Sequence, residues 1–113
     1  MKPTENPASD AFVRRVLDAY RRTLATTGHI RLADRRLARE LHARGVTVQT
    51  VDDALLLASV RRFARPLPSG PPPTVRSLAY FLPIVEELLA TAIDDGCRRY
   101  LAGVHERALA RPR

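Results

Sequence analysis

The sequence predicts an all-α fold, a compact bundle of about five short helices with a proline-rich loop. Three observations lead there. Apolar residues recur at helical spacing in four separate stretches, no segment alternates apolar and polar residues as a half-buried strand would, and glycines or prolines punctuate the intervals. At 113 residues the chain suits one domain, large enough to bury about two-thirds of its unfolded surface. Residues 1–8 read as a tail, 9–110 as the helical domain, and 65–73 as its proline-rich loop.

The first helix is expected to follow a cap at Ser9 or Asp10 and run through AFVRRVLDAYRRTLATT to a stop at Gly28. Phe12, Val13, Val16, Leu17, Tyr20 and Leu24 fall on one arc, with Arg14, Arg15, Arg21 and Arg22 opposite and Asp18 among them. LADRRLARELHAR is the second helix, with Asp34 as its cap and Gly45 as its terminator. It turns Leu37, Ala38 and Leu41 inward and Arg35, Arg36, Arg39 and Arg44 elsewhere.

Thr50 is expected to cap the third helix, VDDALLLASVRRF, placing Asp52 and Asp53 in its first turn and Arg61 and Arg62 at its end. Leu55, Leu56 and Leu57 cover most of its circumference, which suits a central helix buried by several neighbours. RPLPSGPPP (65–73) holds five prolines and a glycine and forms the loop.

The next run, VRSLAYFLPIVEEL (75–88), carries Pro83 inside an apolar stretch. A helix interior proline costs about 3 kcal/mol or more. Two arrangements avoid most of that cost. The favoured one starts at Thr74 or Ser77, kinks at Pro83 and runs to Ile93; the alternative begins a helix at Pro83. Asp94 or Asp95 then caps DDGCRRYLAGVHERAL, with Tyr100, Leu101, Val104 and Leu109 inward.

The composition narrows function. No apolar run approaches the roughly 18 residues a membrane helix needs. The start, MKPTENPASD, lacks the apolar core of a secretory signal. The single cysteine, Cys97, has no intrachain partner and fits a reducing compartment, so a cytoplasmic location is expected. His29, His42 and His105 are scattered without metal-ligand spacing. Glu86-Glu87 and Asp94-Asp95 are adjacent pairs, which helical geometry points about 100° apart rather than at one substrate. No phosphate loop or nucleophile motif occurs. The expectation is a protein that is not an enzyme and needs no cofactor or metal.

The charge points to a partner. The formal net charge is +7 and the sequence pI about 10.9, in the range of nucleic-acid binders. Of 19 basic residues all but Lys2 are arginine, a bias that GC-rich coding also produces, yet the acidic residues did not rise in step. Arg14, Arg15, Arg21 and Arg22 of the first helix, with Arg35, Arg36 and Arg39 of the second, can form one continuous basic surface for phosphates. Such contacts position a protein on DNA without specifying sequence.

A helix-turn-helix reading of RRLARELHARGVTVQTVDDALLLASVRR fails in two places. Leu41 stands where a small residue is needed, and Asp52 and Asp53 would open the recognition helix against phosphates. RNA binding shares the charge argument, but six aromatics leave few stacking platforms. The other expectation is a protein-interaction adaptor or regulatory subunit that docks on a larger enzyme through residues 75–89, with Tyr80, Phe81 and Leu82 as its anchor.

The run ADRRLARELHARGVTVQTVDDALLLASVRR, followed by VRSLAYFLPIVEE, resembles the DnaD-like C-terminal helical modules of phage and mobile-element replication proteins. Gly45-Val46-Thr47 and Ser77-Leu78-Ala79-Tyr80-Phe81 carry the likeness, which spans residues 31–88. It implies a charged helix, a short connection and a second helix before a late helix that contributes to DNA or replisome contacts. The late tryptophan of such modules is missing here. The resemblance therefore implies a DNA-associated, stand-alone accessory rather than a complete initiator.

Overall fold

A computed structural model of the chain describes residues 7–23, 26–64 and 74–110. In them lie α1 (Pro7–Arg22), α2 (Leu32–Ala43), α3 (Val48–Ala64), a one-turn 3-10 helix (Leu78–Phe81), α4 (Leu82–Ala90) and α5 (Asp95–Ala110). The fold is an all-α bundle. The proline-rich loop 65–73, Leu24 and the first six residues lie outside the described residues.

α1 starts earlier than its side chains suggested. Pro7 is its first residue, a position where the missing N–H costs nothing, so Ser9 and Asp10 lie inside the first turn rather than capping it. The helix also stops before Gly28. Thr23 donates its hydroxyl to the Ala19 carbonyl at 2.8 Å. Thr26 donates its own to the Thr23 carbonyl at 2.9 Å. Threonine hydroxyls thus take up carbonyls at the helix end. Gly28 adopts φ of +80° in the connection beyond.

Asp34 does not cap α2; it sits one turn in. Its Oδ2 accepts from the Arg31 backbone N–H at 2.9 Å, while Oδ1 accepts from the Leu78 N–H at 2.9 Å. One buried carboxylate thereby joins the start of α2 to the start of the 3-10 turn. Gly45 does end α2, in a Schellman turn. With φ of +85°, its N–H bonds the His42 carbonyl, and the Val46 N–H bonds that of Leu41, each at 3.0 Å.

α3 is capped by Thr47, not Thr50, since the Thr47 Oγ1 accepts from the Thr50 N–H at 3.1 Å. Asp52 and Asp53 consequently fall in the second turn. Asp53 is buried and grips Arg98 of α5, whose Nε and Nη2 donate at 2.8 and 2.9 Å. α3 touches α1, α4, α5 and the 3-10 turn, the central role its leucines implied.

Around Pro83 the expected kinked helix to Ile93 does not form. A 3-10 turn passes directly into α4, with Pro83 in the first turn. The Ala79 carbonyl, which the proline ring would otherwise crowd, accepts from the Leu82 N–H instead. Arg44 and Arg61 then hold α4 through paired bonds to Glu86 and Glu87, the closest at 2.8 and 2.6 Å.

Asp94 caps α5, accepting from the Cys97 N–H at 2.7 Å. Of the four residues expected inward on this helix, Leu101 is buried and Val104 half-buried, whereas Tyr100 and Leu109 are exposed. Arg98, Leu101, His105 and Ala108 form the covered stripe, because α5 packs chiefly on one helix, α3. The core gathers α1, α2, α3, α4 and the 3-10 turn around Tyr20, Phe81, Leu41, Val16 and Val51.

Candidate nucleic-acid interface

Helical spacing sorts the seven arginines before any packing is considered. Arg14 and Arg21 are seven residues apart and share one stripe of α1, while Arg15 and Arg22 share the next stripe, about 100° away. On α2, Arg35 and Arg39 are four apart and share a face, and Arg36, three from Arg39, borders it. All seven are exposed.

Packing α1 against α2 brings four of them together. A groove of about 280 Å³ between the helices is lined by Arg14 and Arg21 from α1 and Arg35 and Arg39 from α2. Asp10 and Asp18 of α1 also line it, above an apolar floor of Val13, Leu17 and Ile30. The Arg21–Asp18 pair is loose at 3.6 Å and half-exposed, so it leaves Arg21 largely available.

The other three do not join this groove. Arg15 and Arg22 lie instead within electrostatic reach of Asp52 of α3. Partial burial pushes the Asp52 carboxyl above its usual range; Arg15 and Arg22 pull it down, and Asp53 adds to the rise. Arg22 and Asp52 line a second cavity of about 440 Å³ with Leu55, Leu56, His105 and Leu109. Arg36 lies outside the groove lining.

The excess charge is also localised. Residues 7–44 hold nine arginines against four carboxylates, a balance of five positive charges, whereas residues 45–110 hold seven of each. In that second part Asp53, Glu86, Glu87 and Asp95 are all in ion pairs with arginine. The bonds to Arg44 and Arg61 hold Glu86 and Glu87 below the usual carboxylate range. Within residues 7–110 the excess positive charge therefore lies in the α1–α2 half.

The apolar segment 75–89 is divided: Val75, Leu78, Phe81, Val85 and Leu88 are buried, whereas Tyr80 and Leu89 are exposed. Phe81 is a core residue at 2% exposure, set edge-on to Tyr20 with ring centroids 6.1 Å apart. That removes it from any free docking anchor, and Leu82 is half-buried against the same core. Tyr80 alone of the three is exposed, at 46%. Its hydroxyl accepts from Arg62 at 3.3 Å, and the Arg62 guanidinium lies 6.0 Å from its ring centre.

Asp10, expected as a cap, is the groove residue that the arginine pattern overlooks, whereas Asp18 stands among the arginines already in the sequence. Their signal was present, since Asp10, Arg14, Asp18 and Arg21 recur every three or four residues along one stripe of mixed sign. Among the described residues no cluster of histidine, cysteine or carboxylate side chains suits a metal ion, and no helix is long and apolar enough to cross a membrane. Compared with protein-family models, curated proteins and solved structures, the chain matches none.

Proposed function

We propose that this chain is a small, non-enzymatic accessory protein of the cytoplasm that associates with DNA, in the manner of a mobile-element or replication factor. The observation that carries the proposal is the convergence of Arg14, Arg21, Arg35 and Arg39 on one groove, in the half that holds the excess positive charge. Guanidinium groups donate in pairs to phosphate oxygens and stay charged at any physiological pH.

Four neutralised phosphates would give a salt slope near −3.6, so raising salt from about 50 to 200 mM would weaken binding about 10²-fold. The test is a titration of duplex and single-stranded DNA at those two salt concentrations. An Arg35→Ala, Arg39→Ala double variant should lower the slope by about two, with its circular dichroism unchanged because both side chains are exposed. No binding at low salt, or binding indifferent to salt, would sink the proposal.

A second reading, docking on a protein partner through residues 75–89, keeps Tyr80 as its exposed contact. It is the weaker one, because the burial of Phe81 removes the larger part of the anchor.

A further inference from the structure

The groove is not lined as a pure phosphate rail would be. A duplex offers its outer face as phosphates, and Asp10 and Asp18 would meet them with like charge. An unpaired strand offers two chemistries side by side: phosphate oxygens along one edge, and base amino groups along the other. Carboxylates accept well from such amino groups, as aspartate does from the cytosine N4 amine, which a duplex shows only inside its major groove, where a concave cleft cannot reach.

The two walls of the groove match that division. α2 contributes cations alone, Arg35 and Arg39, whereas α1 contributes both carboxylates with Arg14 and Arg21. The floor of Val13 and Leu17 is buried, so base faces are left to the guanidinium planes, which stack on unpaired bases where aromatic rings are scarce.

We infer that the α1–α2 groove receives an unpaired nucleic-acid strand, its phosphates against Arg35 and Arg39 and its base edges against Asp10 and Asp18. This rests on the proposed DNA association and narrows it to single-stranded substrate.

The experiment compares a fluorescent mixed-sequence DNA strand of about 20 nucleotides with its own duplex, using the intact chain at low salt. The single strand is expected to bind about tenfold tighter. An Asp10→Ala, Asp18→Ala double variant, its fold checked by thermal melting, should bind the single strand about fivefold more weakly or worse. Its duplex binding should be unchanged or stronger, since a repulsion has been removed. Duplex binding as tight as single-strand binding overturns the inference while leaving DNA association standing. So does a variant that shifts both forms in parallel or neither. If nucleoside monophosphates compete as well as the strand, the groove holds a free nucleotide and the inference is likewise wrong. Failure of every DNA form to bind removes the underlying proposal as well.

Discussion

Replacing Asp34 with alanine deletes the link between two parts of the bundle 44 residues apart in sequence. Asp34 is 1% exposed and accepts two backbone N–H bonds at 2.9 Å, from Arg31 and Leu78. The Leu78 bond is buried, and stranding that N–H costs about 2–3 kcal/mol. Losing the acceptor at the α2 start costs about 1 kcal/mol more. Relief from burying a carboxylate offsets part of this, leaving a loss of about 3 kcal/mol. For a domain of this size that corresponds to a melting point lower by about 12 °C. Asp34→Asn is the informative control. Its amide keeps one acceptor oxygen but turns an NH2 toward the other N–H, so it should lose about 2 kcal/mol. Urea unfolding at unchanged m-value measures both losses, and hydrogen exchange at the Leu78 amide localises them. A loss below about 1 kcal/mol for alanine, or a Leu78 amide as protected as before, would refute the argument.

The core-or-anchor question at Tyr80 and Phe81 has a direct reading in stability: Phe81→Ala should cost about 3–5 kcal/mol, and Tyr80→Ala within about 1 kcal/mol, by chemical denaturation. The Tyr20 hydroxyl is buried and makes no hydrogen bond of good geometry among the described residues, with Thr27 a weak partner at best, so Tyr20→Phe should be neutral or stabilising by up to about 1 kcal/mol; a clear loss would mean the hydroxyl is bonded. Burial, reinforced by Asp34, raises the Tyr20 phenol above its ordinary value. Above about pH 10 the native chain therefore retains a proton the unfolded chain releases, stability falls with rising pH, and Tyr20→Phe should blunt that fall. At the acid end the sign reverses. Glu86 and Glu87 titrate lower in the folded chain than in the unfolded one, so their stabilisation is present above about pH 4.3. It disappears as pH falls through their depressed values, and Glu86→Gln with Glu87→Gln should flatten that limb of the pH–stability curve.

The helices were legible because each is written in local chemistry. The apolar arc of α1, the glycine that ends α2, the leucines that make α3 central and the aspartate that caps α5 all act within a turn of their own residue. Helix limits failed where two side chains competed for one local role. Pro7 opened α1 ahead of Ser9, Thr47 capped α3 ahead of Thr50, and Thr23 with Thr26 ended α1 ahead of Gly28. At the proline of VRSLAYFLPIVEEL the favoured kink fails, and the alternative of a helix that begins at the proline is close to what forms. A 3-10 turn, with its bonds three residues apart, removes the clash that a kinked α-helix would have had to absorb.

What the sequence by itself determined was the helical class, the order of the elements and the reservoir of arginine, since period and composition act residue by residue. It also held the mixed Asp10–Arg14–Asp18–Arg21 stripe, visible from spacing alone. Only the tertiary structure decided which arginines act together. Helix periodicity places Arg14 and Arg15 about 100° apart, but nothing local says which of them will face α2 and which will face Asp52. Packing of α1 between α2 and α3 made that choice. The same packing took Phe81 into the core and left Tyr80 at the surface, because a side chain's burial depends on what a distant segment brings against it.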